Sequence, residues 1–325
     1  MRRTFAAVLA LALVACSQAP TTADFQRKAP PGYAFAFSSY SGFLALDALG
    51  KPLGTITEFS QSSGVPTGLA LTGDGSRFVF SLTLAPDPER GFGADIYSLA
   101  LDGTGLRPVL EHEAENVFYA SPTLTKDQTL YVHRRAARLV NGQYMGNTDE
   151  IVRIDLPTGA RRVVVENGAD PALSPDGTFI VYVHQVSGAP AGLWRVNVDG
   201  SGARPFLAGT DKWLYIQTPR FSPDGSTVAF SAAGHSTSAS PASSGGRMAH
   251  LGVPSFLYLV DAAGRNLREV ARTDDDVWPA WSPDGTKITY VSGMAMHVLD
   301  VASGKVTDLI SGENYGYGEL IWMKR

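Results

Sequence analysis

The stretch "WSPDGTKITY", Trp281–Tyr290, places a tight-turn signal between two short apolar runs, and near-copies of it recur along the chain. They are "PALSPDGTFIVYV" from Pro171, "PRFSPDGSTVAFS" from Pro219 and "PAWSPDGTKITYV" from Pro279, with degraded versions "LALTGDGSRFVFS" from Leu69 and "PTLTKDQTLYVH" from Pro122. The turn aspartates Asp74, Asp127, Asp176, Asp224 and Asp284 stand 53, 49, 48 and 60 residues apart. A period near 50 residues is the signature of a repeat architecture and decides the fold.

Each turn is followed by a run rich in β-branched and aromatic residues, such as Ile180–Val183 or Ile288–Val291, which reads as a strand. A second hairpin follows in every unit. Its first strand is "DIYSLAL", "EIVRIDL", "GLWRVNV", "FLYLVDA" or "MHVLDV", and its turn "DGTG", "PTG", "DGSG", "AAGR" or "ASG" supplies positive-φ positions. One unit is therefore four antiparallel strands, A to D.

The chain ends supply the remaining pieces. "YAFAFSS", Tyr33–Ser39, reads as a strand B, and "GFLALDALGKPLGTITEF" from Gly42 as the C and D strands after it. "GELIWMKR", Gly318–Arg325, reads as a strand A with Trp322 in register with Trp281. The expected fold is all-β: a six-bladed β-propeller of four antiparallel strands per blade, closed by pairing the N- and C-terminal strands so that no long sheet edge is exposed. Residues 33–325 give about 49 residues for each of six blades, within the propeller range.

The "WSPDG" turns followed by strands such as "KITYV" resemble the six-bladed TolB-type propeller repeat, also found in the propellers of prolyl-oligopeptidase-type peptidases. The resemblance covers about nine tenths of the chain and bears on fold; function lives in sites rather than folds. It implies a cell-envelope setting, but the six units use up residues 33–325 and leave no place for the further N-terminal domain of TolB. The peptidases carry a hydrolase domain with a G-x-S-x-G elbow, and no such motif occurs here.

The SPDG turns themselves read as scaffolding. Proline presets φ, aspartate accepts local backbone bonds, and glycine takes the positive-φ position. A ring of aspartate metal ligands fails because each turn belongs to a different blade and no second ligand recurs beside it.

The segment "MRRTFAAVLALALVACSQAP" has a basic start, an apolar run from Phe5 to Val14, and "LVAC" ending in Cys16, which resembles a bacterial lipoprotein signal with its lipobox. The expected organisation is a signal peptide over 1–15, a lipidated tether over 16–32 and the propeller over 33–325. Cys16 is the only cysteine, so no internal disulfide forms and burial with strand pairing must hold the blades. Ser17 after Cys16 does not resemble an inner-membrane retention signal, which favours the outer membrane in a two-membrane source. Without residues 1–15 the chain carries 25 basic and 31 acidic residues, a formal charge of −6, and no nucleic-acid footprint.

If strand A runs down, the A–B and C–D turns share a lower face and the B–C and D–A loops an upper one. Length varies mainly on the upper face, where binding usually resides. Three B–C segments stand out: "LAPDPERGFGA" from Leu84, "RRAARLVNGQYMGNT" from Arg134, and "AAGHSTSASPASSGGRMAHLGVP" from Ala232. The last is Ser-, Ala- and Gly-rich and reads as a flexible segment in which His235 and His250 carry no chemistry. Aromatics precede strand A: Phe118, Tyr119, Trp213, Tyr215, Trp278, Tyr315 and Tyr317. They read as covers for blade seams or as flat anchors for a partner.

His133 and His184 each follow "YV" at the end of a B strand and read as equivalent rim positions. They are candidates for binding or acid/base work, with no third ligand to complete a metal site. Asp274–Asp276 reads as solvated charge rather than a calcium site. The functional expectation is a lipid-anchored envelope scaffold recognising a protein or peptidoglycan-associated partner through the upper face, with no cofactor. The alternative is a propeller enzyme of lyase or lactonase type with a divalent ion in the funnel.

Overall fold

The computed structural model describes residues 29–39, 42–59, 66–83, 86–210, 213–234, 255–274, 276–293, 295–311 and 318–323. Residues 1–28, with Cys16 and the segments expected as signal peptide and most of the tether, lie outside the described residues, as do His235, His250, Asp275, Tyr315 and Tyr317.

The described chain is built of strands. In chain order β1 to β3 are Phe35–Ser39, Gly42–Leu46 and Pro52–Glu58; β4 to β7 are Thr67–Leu71, Arg77–Leu82, Gly93–Ala100 and Arg107–Leu110. Next, β8 to β11 are Val117–Leu124, Thr129–Val140, Gln143–Asp155 and Ala160–Glu166, and β12 to β15 are Gly168–Leu173, Phe179–Val186, Ala189–Asn197 and Arg204–Pro205. Finally, β16 to β19 are Tyr215–Phe221, Thr227–Ala233, Ser255–Asp261 and Arg268–Thr273, and β20 to β24 are Ala280–Trp281, Lys287–Ser292, Ala295–Asp300, Val306–Ser311 and Leu320–Trp322.

Four sheets have four strands each: β24-β1-β2-β3, β12 to β15, β16 to β19 and β20 to β23. In the first, Phe35 of β1 stands opposite Trp322 of β24, so the two ends of the described chain share one sheet. The eight-stranded remainder consists of two antiparallel meanders, β4 to β7 and β8 to β11, joined where β6 runs parallel to β8 at Gly93↔Val117 and Ala94↔Phe118. That junction departs from the expectation of separate sheets, and Gly93 explains it. A Cβ there would meet the Val117 carbonyl oxygen at 2.4 Å and the His112 ring at 2.5 Å, so only glycine lets the two backbones approach this closely.

The recurring turns have one construction. Asp284 accepts from the Ser282 hydroxyl at 2.6 Å and from the Thr286 N–H at 3.0 Å, while Gly285 takes φ +71° and donates to the Ser282 carbonyl. Asp74, Asp176 and Asp224 repeat it, with Gly75, Gly177 and Gly225 at φ +70° to +73°. In "TKDQT" the positive φ falls on Gln128. The C–D turns lie at the same end, because Leu156, Val198, Ala262 and Val301 donate N–H bonds to the carbonyls of Gln128, Thr178, Ser226 and Thr286 in the A–B turns.

Packing runs between successive meanders. Phe43 and Phe80 meet edge to face at 4.8 Å, Tyr131 and Tyr182 share a core between the β8–β11 and β12–β15 groups, and Phe35 and Phe37 share one with Met296. Phe35, Phe37, Phe43, Phe78, Phe80 and Phe230 are fully buried. Each such side chain stabilises the fold by about 1.5–3 kcal/mol relative to exposure. With no disulfide available, these cores and the strand ladders hold the structure.

Candidate functional site

The first strand of four successive meanders is interrupted at one position. The register shifts between Thr67 and Ala70, Ala120 and Thr123, Ala169 and Ala172, and Gln217 and Arg220, and the residues in the shift adopt positive φ: Gly68 +66°, Ser121 +48°, Asp170 +46° and Thr218 +55°. A bulge frees one residue from the ladder and re-aims it. Here the freed residues link one meander to the next. Ser121 Oγ donates to Asp170 Oδ1 at 2.9 Å, and Thr218 Oγ1 donates to the Val277 carbonyl at 2.9 Å. The buried Glu319 carboxylate, just before β24, accepts the N–H groups of Gly68 at 2.6 Å and Leu69 at 2.8 Å. Burial pushes the Glu319 carboxyl up, and those two N–H bonds and nearby Arg220 only partly offset this.

This band separates two cavities. On the turn side, about 350 Å³ is lined by Ala70, Pro122, Pro171, Arg220 and Pro223 among others. On the loop side, about 430 Å³ is bordered by His133, Arg135, Asp170, Gln185 and Gln217 with apolar walls from Phe118, Val183 and Ile216. The loop-side cavity gathers the more varied chemistry and is the candidate site.

Its polar wall is prearranged. His133 on β9 pairs through Nε2 with Asp149 Oδ1 of β10 at 2.8 Å, and Arg135 Nε donates to the same oxygen at 2.7 Å. Burial pushes the Asp149 carboxyl up, but the bonds from His133 and Arg135 outweigh it and hold the group below the usual carboxylate range. The result is a fixed His–Asp–Arg set whose arginine is partly exposed.

The two rim histidines are not equivalent. His133 stands opposite Ala120 at the bulge of β8, but the residue in that place on β13 is Val183, opposite Ala169. The turn "TKDQT" is one residue shorter than "SPDGTF", which shifts everything after it by one position, and a one-residue shift moves a side chain to the other face of its sheet. His133 therefore borders the cavity. His184 instead lies against Trp194, ring centroids 4.4 Å apart, and burial lowers the basicity of its imidazole against an opposing bond that the ring donates to the Asn167 backbone.

The aromatics also separate. Phe118 borders the cavity and meets Phe92 edge to face. Tyr119 is 1% exposed, with its hydroxyl donating to Glu113 at 2.7 Å; burial, then that bond, push the phenol up. Trp213 is buried against Phe230 and Tyr258. Tyr215 and Trp278 are half-buried. Of the acidic run, Asp276 is buried and accepts from Ser255 Oγ at 3.1 Å, so it is not solvated charge. Among the described residues no group of three or more His, Cys, Asp or Glu is placed to hold a metal ion.

Asp149, Arg135, Gln185 and Asp170 are site residues that sequence reading passed over. They come from two successive meanders and share no spacing; Asp170 alone carries a signal, as the residue before the proline of a repeat.

The segment "RRAARLVNGQYMGNT", expected as a loop, is instead the end of a long hairpin: β9 and β10 run 12 and 13 residues and pair out to Val140↔Gln143 across an Asn141–Gly142 turn. The Asn-Gly pair outweighs its polar, loop-like composition. Beyond Ala137 no neighbouring strand among the described residues pairs with it, and Leu139, Val140, Tyr144 and Met145 are each more than half exposed.

No family model and no curated protein sequence matches the chain. Solved structures do. TolB from Acinetobacter baumannii superposes with a TM-score of 0.64 at 15% identity over 90% of this chain, which spans 66% of the length of that TolB. A chain of a nidogen/laminin complex gives a TM-score of 0.62 at 13% identity, covering 90% of this chain and 99% of that one. An oligogalacturonate lyase in complex with manganese gives 0.54 at 14% identity, covering 89% and 84%. At such identities the likeness bears on fold alone. The protein has a TolB-like β-propeller fold.

Proposed function

We propose that the protein is a lipid-anchored binding scaffold of the bacterial cell envelope, a closed six-bladed propeller that recognises a protein or peptidoglycan-associated partner through its loop-side face. The observation that carries this reading is where the described chain begins. The Ala29 N–H donates to the Asp102 carbonyl at 2.8 Å and Tyr33 donates to the Leu101 carbonyl, which seats residues 29 and 33 against the turn between β6 and β7. A chain anchored there through Cys16 presents the opposite end, with the polar cavity and the exposed β9–β10 tip, away from the bilayer. Closure into a ring is supported by the pairing of β24 with β1 and by the core shared between that sheet and β20–β23.

The test is capture of envelope proteins by the lipidated protein and by a Trp278→Ala, Tyr317→Ala variant. A partner held by the first and lost from a normally folded second supports the reading; equal capture moves recognition elsewhere. Cys16→Ser should leave the propeller folded and release it from membranes, since acyl chains would supply most of the membrane affinity. An unchanged membrane fraction would remove the anchor.

A second reading, an enzyme of lyase or lactonase type acting on a small molecule with a divalent ion, is favoured by the buried His133–Asp149 pair on the cavity wall. Stoichiometric, tightly held metal in the purified protein would support it.

A further inference from the structure

Gln185 of β13 is 6% exposed, and its Oε1 is buried with no hydrogen-bond partner among the described residues. A buried acceptor left unpaired destabilises a fold and asks for an explanation. Gln185 borders the loop-side cavity, and a turn of its amide would bring this acceptor to that space.

Two charged groups border the same space. Arg135 uses Nε on Asp149, while its two terminal nitrogens carry no hydrogen bond among the described residues and its side chain is 43% exposed. A guanidinium held by one edge offers the other to a carboxylate in a forked pair. Asp170 accepts the Ser121 hydroxyl at 2.9 Å and only a long contact from the Thr218 N–H at 3.4 Å, which leaves acceptor capacity for a cation or N–H donor. Val183 and Ile216 form apolar wall on the same cavity.

We propose that this cavity binds a small zwitterion: an α-amino acid, or a short peptide with both ends free, carrying an apolar side chain. The carboxylate pairs with the terminal nitrogens of Arg135, the ammonium meets Asp170 and Gln185 Oε1, and the side chain lies on Val183 and Ile216. A site with only an arginine would select any anion, and one with only an aspartate any cation; both charges together, with an unpaired amide acceptor, select a ligand with two opposite ends. A cavity of about 430 Å³ lies in the range of small-molecule sites. This inference rests on the loop-side face being the recognition face.

The test is titration calorimetry on the whole protein with leucine and with dileucine, beside leucinamide, which lacks the carboxylate, and 4-methylpentanoate, which lacks the ammonium. Saturable binding of leucine or dileucine is expected, the tighter of the two identifying the source. Each truncated probe should bind at least about tenfold more weakly. Gln185→Leu should weaken binding by about tenfold while keeping or raising the unfolding midpoint, because it removes the unpaired acceptor. Should that variant fail to fold, Arg135→Lys decides, since it keeps the charge beside Asp149 and loses the fork: leucine should weaken and leucinamide should not. No saturable binding of either zwitterion up to about 10 mM, equal binding of the truncated probes, or unchanged leucine affinity in the folded variant overturns the proposal. Partner capture that persists without zwitterion binding overturns this inference and leaves the scaffold reading standing.

Discussion

Gly285 and Gly93 are both needed, for different reasons. At Gly285 a Cβ would meet only Pro223 at 3.6 Å, an ordinary contact, so the requirement is the backbone at φ +71°. Gly285→Val should therefore destabilise by about 1–3 kcal/mol, read as a lower midpoint in denaturant with an unchanged slope. Loss of binding with stability intact would instead make the turns functional. The turn aspartates carry a pH dependence. The Ser282 hydroxyl, then the Thr286 N–H, hold the Asp284 carboxyl at about 2, down from 3.8. A carboxyl depressed in the folded state contributes stability that is fully present above its unfolded value and is lost as pH falls through the folded one. Ser282→Ala removes the largest cause, so its deficit against wild type should shrink as pH falls from about 4 to about 2; a constant deficit in thermal melts would show that the hydroxyl acts only as a packing or backbone partner. Such turns are legible in sequence because their bonds span two to five residues.

At the scale of elements, β9 and β10 show where composition misleads. Three arginines and several small residues suggest a loop, yet the Asn-Gly pair turns a hairpin, and His133 and Arg135 lie on one face, opposite Ile151 and Asp149. Their root belongs to the cavity wall, and among the described residues their tip pairs with no other strand. Replacing Arg138–Met145 by a two-residue turn should shift the thermal midpoint by no more than about 2 °C, whereas a large drop would show that the tip packs on the neighbouring sheets. The same hairpin explains why two similar "YVH" segments end differently. One residue fewer in the preceding turn reverses the face on which the histidine falls, and only the register against β8 and β12 reveals it.

For the whole molecule, the two ends of the described chain matter most. Deleting Gly318–Arg325 removes β24, exposes the edge of β1, and strips Gly68 and Leu69 of the Glu319 carboxylate. The truncated protein should unfold cooperatively at a midpoint many degrees lower, since an unpaired inner strand and two buried unpaired N–H groups each cost of the order of 1–3 kcal/mol; an unchanged midpoint would make the terminal strand a local tail. What the amino-acid order determined by itself was the repeating unit: turn chemistry acts over a few residues, strand alternation over several, and both recur at a readable period. What only the tertiary structure decided was the site. Asp170 comes from a bulge in β12, Arg135 and Asp149 from β9 and β10, and Gln185 from β13, and no local rule links positions whose proximity depends on how twisted sheets pack against one another. The same physics splits the aromatics, burying Tyr119 and Trp213 in cores while leaving Phe118 on the cavity wall, because the face a strand residue occupies is set by its neighbours across the sheet.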